Sequence, residues 1–358
     1  MPSLKEIKGR INSISSTLAI TSAMKMVASA KLQKAQMAIQ NMLPYERRLY
    51  SMLLDLMGAM NISAAASEDG SVRGSGSAER GFDQSGDRLS LSNRHDLAGM
   101  DGAYSLMAQR EVRKVAIVAF ASNSSLCGAF NSNVIREATA VINEYRASGL
   151  RDSDIVVYSV GRKMAEAMRK LGFPSPADFT KMSDSPSYEA ASALAQELLD
   201  GFVSGRFDKV ELVYNHYKST SSQPITRQTY LPLSLADATA DLQAGKITDS
   251  ASESDTNRGA EPVGAPVVRQ GSPTTEDLIV EPSKEALIAT LLPKVVRLRI
   301  FTTLLDSAAA EHAARTVAMQ LATDNGNDLL QELTLEYNKG RQQKITSEIL
   351  DLVGGSMQ

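Results

Sequence analysis

The stretch that decides the fold lies near the C-terminal end: Glu311-His312-Ala313-Ala314-Arg315-Thr316-Val317-Ala318-Met319-Gln320-Leu321-Ala322-Thr323-Asp324-Asn325, then Leu333-Thr334-Leu335-Glu336-Tyr337-Asn338-Lys339-Gly340-Arg341-Gln342, then Ile345-Thr346-Ser347-Glu348-Ile349-Leu350-Asp351-Leu352-Val353. Val317, Leu321, Leu330, Leu333, Tyr337, Ile345, Ile349 and Leu352 recur at the three- and four-residue steps of one helix face, with no proline between them. The spacing predicts a helix from about Ser307 to Val353, roughly 70 Å long at 1.5 Å per residue. The mean helix is about 11–12 residues, so an ordinary domain core cannot cover this one. Something else must pack on it.

A partner is available at the other end of the chain. Ser3 followed by Glu6 is a capping-box signature. Leu4, Ile7, Ile11, Ile14 and Leu18 then follow the 3–4–3–4 spacing of a coiled-coil seam. The apolar pattern continues through Ala23, Met24, Met26, Val27, Ala30, Leu32, Ala35 and Ile39. Pro44 is expected to kink or end this helix, and a second helical run covers Tyr45 to Met60. Lys5, Lys8, Arg10, Lys25, Lys31, Lys34, Arg47 and Arg48 outnumber Glu6, Glu46 and Asp55, whereas the C-terminal helix is mildly acidic. Two long amphipathic helices at opposite ends of a chain suit an antiparallel coiled coil. Solvated faces account equally well for most of the charges.

Between them the chain alternates in character. Residues 61–110 are rich in Gly and Ser, with little periodicity, and read as a flexible insertion; a short helix is expected near Asp101 to Arg110. Residues 111–235 read as a Rossmann-like α/β domain. Its predicted strands are Val115–Phe120, Ile155–Val160 and Val210–Asn215, and Thr226–Leu233 adds an outer strand. Helices are predicted at Val134–Arg146, Arg162–Lys170 and Tyr188–Phe202. Residues 236–276 form a second flexible insertion. Residues 277–358 hold the last helical region, beginning near Glu281, with a kink expected at Pro293. The fold class is therefore α/β plus long helices: an antiparallel coiled coil of the two terminal segments with an α/β domain inserted between its halves.

Composition narrows the chemistry. The net charge of −3 over 358 residues gives no reason to propose nucleic acid as a partner. A single cysteine, Cys127, excludes an internal disulfide and a multi-cysteine zinc site. No run of 18 apolar residues occurs, and the first residues lack the apolar core of a secretion signal, so a soluble, intracellular protein is expected. The first strand-to-helix turn, Ala121 to Asn131, has one glycine where a dinucleotide fingerprint needs three. His95, His216 and His312 are scattered, so Cys127 reads as an inert buried thiol, and His312 as a surface or seam residue. No catalytic residue, cofactor site or metal site is expected. Gly326 and Gly340 each cost about 1 kcal/mol relative to alanine in a helix interior; the sequence supplies no reason for them beyond close approach by a neighbour. Arg341 and Gln342 are either a solvated face or a contact with another protein.

These residues also carry a resemblance. Ile20-Thr21-Ser22-Ala23-Met24-Lys25-Met26-Val27-Ala28-Ser29-Ala30-Lys31-Leu32, then Leu126-Cys127-Gly128 with Asn131, then Ala322-Thr323-Asp324-Asn325 and Tyr337-Asn338-Lys339-Gly340-Arg341-Gln342 with Ile345-Thr346 resemble, in order, the signatures of the gamma subunit of F-type ATP synthase. The resemblance covers both ends and, more weakly, the α/β unit. It implies a single-copy central rotor shaft whose coiled coil enters a ring of three alpha and three beta subunits. Its α/β unit would grip a membrane c-ring together with an epsilon subunit, on the cytoplasmic face of the bacterial plasma membrane. Catalysis would sit on the beta subunits. By position, the resemblance implies beta-subunit contacts for Arg341, Gln342, Met24, Lys25, Lys31 and Lys34, and an apolar bearing at Ile345, Ile349, Leu352 and Val353.

Three departures qualify it. Asn123-Ser124-Ser125 stands where the family usually has Asp-Arg-Gly, which removes a charged contact from that turn. Lys25 stands where glutamate is common. The second insertion falls where the chloroplast subunit carries a redox switch, but it has no cysteine, so thiol regulation is not expected. Two other readings compete: a nucleotide-binding α/β enzyme with a coiled-coil arm, and a generic coiled-coil adaptor.

Overall fold

The computed structural model describes residues 3–59, 106–233, 281 and 283–355. Most of both expected insertions lies outside these residues. Two helices dominate: α1, Leu4–Ala59, and α6, Lys284–Gly355. Ser3 Oγ accepts the Glu6 backbone N–H at 3.2 Å, as the capping signature predicts.

Neither proline breaks its helix: α1 continues through Pro44 and α6 through Pro293. Pro44 therefore does not end α1. A mid-helix proline costs about 3 kcal/mol. Each fully buried large aliphatic side chain contributes about 1.5–3 kcal/mol. Leu49, Tyr50 and Leu53 anchor α1 beyond Pro44, and Ile288, Leu292, Val295 and Val296 flank Pro293, all of them buried. Packing on both sides outweighs the local penalty.

Between the long helices lies a four-stranded sheet in the order β2-β1-β3-β4, formed by β1 (Val115–Phe120), β2 (Ile155–Val160), β3 (Lys209–Asn215) and β4 (Ile225–Leu231). β1 runs parallel to β2 and β3, with Val115 opposite both Ile155 and Lys209. β4 is antiparallel to β3, with Tyr214 opposite Thr226. The short connection before β4 cannot hold the crossover that a parallel strand needs.

α2 (Phe130–Ala147) and α3 (Arg162–Lys170) cover one face of the sheet, where Ile117, Val157, Val134, Val141, Ile142, Met164 and Met168 form a core. The other face packs on α5 (Tyr188–Val203) and on the lower parts of α1 and α6 through Val118, Phe120, Leu212, Leu194, Leu198, Ile300 and Leu304. A one-turn helix, α4 (Thr180–Asp184), has too little periodicity to be read from sequence. Of the short helix expected at 101–110, only 106–110 is described. Leu106 and Met107 form a turn there rather than a helix, and Leu106 is buried against the α/β unit.

Candidate functional site

In a doubly wound sheet, ligands bind beyond the strand C-termini where the strand order reverses. Here that point lies between β1 and β3, and α6 fills it. The turn after β1 places Cys127 and Phe130 against Ala310 and Ala314 of α6, with Tyr217, just beyond β3, in the same cluster. A Cβ on Gly128 would lie 3.7 Å from the Ala318 Cβ. Asp306 of α6 accepts the Tyr217 backbone N–H at 2.9 Å and lies 2.6 Å from His216 Nδ1. The small residues Ala309, Ala310 and Ala313, all fully buried, permit this approach. The place where a Rossmann-like unit would hold a cofactor is the place where this one holds its long helix.

The turn itself is rigid. Ser122 N–H and Oγ–H donate to Asn131 Oδ1, each at 3.0 Å, and Asn131 Nδ2 donates to Cys127 Sγ at 3.1 Å. Cys127 is buried in this network, as an inert thiol should be.

A polar contact with α6 is added from the helix side. Arg315 donates to Ser124 Oγ at 2.7 Å and pairs with Glu311 at 2.7 Å; both side chains of that pair are about nine-tenths buried. Burial pushes the Glu311 carboxyl above its usual range, although Arg315 opposes the shift. His312 beside them is pushed down to about 4 by burial and by the charges of Arg315 and Lys31, and its Nδ1 is buried with no hydrogen-bond partner among the described residues. The hydrogen bond to Asp306 instead holds the proton on His216 and raises its pKa, against a smaller loss from burial. A cleft of about 660 Å³ opens beside this junction, lined by residues including Gln36, Tyr50, Tyr217 and Arg299. Gln36 Nε2 donates to the Tyr217 hydroxyl and Arg299 to the Tyr50 hydroxyl, so these polar groups are already paired within the chain.

Above the junction the two helices form a rod. Leu4 meets Gly340 and Leu18 meets Gly326, Thr323 Oγ1 donates to Thr21 Oγ1 at 3.0 Å, and Leu32 packs between Ala309 and Ala313. This is one antiparallel register sustained over the rod. Leu321, expected on the packing face, is 58 % exposed; the seam passes through Met319, Thr323 and Gly326 instead. His312 lies in the seam, half-buried, opposite the turn of α1 that carries Leu32.

The predicted contact residues fall into two groups. Met24 and Lys25 are half-buried along the middle of the rod, where Lys25 occupies a heptad position of the seam; Lys31 and Lys34 are exposed just below. Arg341 and Gln342 are exposed at the far end. On the observed register Arg341 lies roughly 30 Å from Met24 and roughly 45 Å from Lys34 at 1.5 Å per residue, so the groups form two stations rather than one site. Ile345, Ile349, Leu352 and Val353 lie beyond both, all exposed, Leu352 to 75 %. Leu4, where α1 begins, lies against Gly340, so α6 runs on for about four turns without α1 alongside. The sequence reading missed the Glu311–Arg315–Ser124 junction. An i,i+4 ion pair set within an alanine run was the available signal, since charges among close-packing residues are charges about to be buried.

The ATP synthase family matches residues 3–357 of this chain. The ATP synthase gamma chain of Phocaeicola vulgatus is 47 % identical over 357 residues, covering 100 % of both chains. The chain belongs to the ATP synthase gamma-chain family. Other gamma chains match over similar lengths: that of Bacteroides thetaiotaomicron is 45 % identical over 100 % of both chains, and that of Flavobacterium johnsoniae 35 % identical over 99 % of this chain and 98 % of its own. Among solved structures, a chain of the cryo-EM structure of the Euglena gracilis mitochondrial ATP synthase, OSCP/F1/c-ring, in rotational state 3, is similar in fold, with a TM-score of 0.52 and 18 % identity over 99 % of this chain and 93 % of that one. Among the described residues, no helix is long and apolar enough to cross a membrane.

Proposed function

We propose that this chain is the central rotor shaft of an ATP synthase. It couples ion flow through a membrane c-ring to conformational cycling of the catalytic beta subunits, in synthesis or, running backward, in hydrolysis, and is itself non-catalytic. The observation that carries this reading is the tip of α6, which among the described residues is exposed, carries several large apolar side chains and projects past α1, on a rod clamped at its other end by an α/β unit. Full-length membership of the gamma-chain family supports it.

The partners on this reading are three alpha and three beta subunits, an epsilon subunit and the c-ring, around one copy of this chain at the cytoplasmic face of a bacterial plasma membrane. A helix pair has no threefold symmetry, so each orientation presents a different face to each beta subunit. That differential contact is what shifts the beta subunits between states. Arg341 and Gln342 hydrogen-bond a beta subunit near the top of the rod. Met24, Lys25, Lys31 and Lys34 meet beta subunits lower down, Lys31 and Lys34 through acidic groups.

Ile345, Ile349, Leu352 and Val353 turn within an apolar collar. Apolar burial is non-directional, so rotation there breaks few oriented bonds. Residues 1–60 and 277–358 serve as the coil and 111–235 as the α/β foot, with 61–110 and 236–276 as insertions.

Purification of the chain from membranes is expected to bring down three alpha and three beta chains per copy. A stable monomer in cell extract without them would overturn the proposal. Calorimetry with ATP and NAD on the isolated chain separates the enzyme reading, because the shaft binds neither.

A further inference from the structure

Two glycines in the torque-bearing helix need a reason, since alanine would favour the helix about fivefold at each. The seam of α1 provides one. A Cβ on Gly326 would lie 2.6 Å from Leu18 Cδ2 and 3.1 Å from its Cγ, and a Cβ on Gly340 would lie 3.1 Å from Leu4 Cδ2. Leu4 and Leu18 are two heptads apart, as are Gly326 and Gly340. The two pairs therefore belong to a single antiparallel register, and the Thr21–Thr323 hydrogen bond belongs to the same one.

We propose that Leu4 with Gly340 and Leu18 with Gly326 form a register lock. Each half-buried leucine lies against a glycine, and the lock fixes the height and phase of the tip beyond Arg341 relative to the α/β unit.

The spacing explains the specificity. Continuing the register places Ile11 opposite Leu333, so layers of leucine on glycine alternate with a layer of two large side chains. A slip of one heptad would set Leu18 against Leu333 or Met319, and would leave Ile11 facing a glycine. Large residues would meet large ones and cavities would open in the layers between; both faults destabilise packed interfaces. The lock is a property of this chain alone, and it stands or falls whether or not the shaft reading holds.

Gly9 supplies the control, because a Cβ added there meets nothing within 4 Å. If these glycines are merely weak helix formers, Gly9→Ala, Gly326→Ala and Gly340→Ala should all slow amide hydrogen exchange in the rod. The lock predicts opposite signs. Gly9→Ala leaves exchange unchanged or slower. Gly326→Ala speeds it at least fivefold around residues 18–24 and 320–328, and adding Leu18→Ala to that variant recovers much of the loss. Gly340→Ala, at the end of the coil, has a smaller effect of the same sign and leaves the foot intact, so it remains informative if Gly326→Ala folds poorly.

The Thr21→Cys/Thr323→Cys pair, whose native side-chain oxygens are 3.0 Å apart, should form a disulfide readily in the parent register and at least tenfold more slowly with Gly326→Ala. Slower exchange with Gly326→Ala, or unchanged disulfide formation, would overturn the lock.

Discussion

The lower and upper halves of α6 are one helix in two environments. From Ile288 to Met319 most of its apolar residues are buried and none is exposed: Ile288, Val295, Val296, Ile300, Ala309 and Ala313 are sealed between α1, α5, the sheet and the β1 turn. Among the described residues, no side chain of the helix is buried from Gln320 onward, where α1 lies alongside, and every described side chain past Gly340 is exposed. Its apolar content does not fall correspondingly, for Leu335, Ile349, Leu350 and Leu352 are all exposed. A chain that stabilises its lower half by its own packing and leaves similar residues uncovered above has divided one element between fold and partners.

Truncating the same residue type in each half tests this division. Ile300→Ala is expected to destabilise the isolated chain by about 4 kcal/mol, within the usual 2–5 for a sealed aliphatic residue. A fall in the urea midpoint with little change in slope would register it.

Arg315→Ala follows at about 3 kcal/mol, because it strands Glu311 in a nearly sealed site. Burial already raises the Glu311 pKa, so without Arg315 the carboxyl takes up a proton more readily. Glu311→Gln in that background should therefore recover part of the loss.

The two histidines at the junction respond to pH in opposite directions. His312 is held neutral, with its pKa pushed down to about 4. Between pH 4 and its unfolded value of about 6.5 the unfolded chain binds the extra proton, so stability falls on acidification across that window, by about 1–2 kcal/mol for a half-buried ring. His216 has a raised pKa because Asp306 holds its proton. Its contribution is present in full below about pH 6.5 and is lost as pH rises through the folded value. His312→Gln should flatten the acid limb of a stability profile, and His216→Gln the limb above about pH 6.5. The smallest effect belongs to Ile349→Ala: in the isolated chain it should change stability by less than about 0.5 kcal/mol.

Legibility in the sequence followed the same division. The terminal helices and the seam of α1 could be read because each repeats a period, and the three central strands because each is a short, mostly apolar run. Pro44 offered a helix end because its local penalty was weighed without the packing around it. Gly326 and Gly340 looked like defects along one helix, and acquired a reason once Leu18 and Leu4 lay opposite. The junction of Glu311, Arg315 and Ser124 joins residues far apart in the chain, and no local pattern reports such a meeting. Lys25 reads as an ordinary surface charge until the register places it in the seam. The tip was legible as apolar and helical, but its exposure appeared only when α1 was seen to begin at Leu4, against Gly340.

The division of α6 can be measured directly by amide hydrogen exchange on the chain alone and on the complex extracted from membranes. Residues 288–319 should exchange at the same slow rate in both. Residues 341–355 should exchange quickly in the isolated chain and at least tenfold more slowly in the complex, where the proposed collar of partner subunits would cover them. Equal rates for 341–355 in the two samples would contradict a tip reserved for partners.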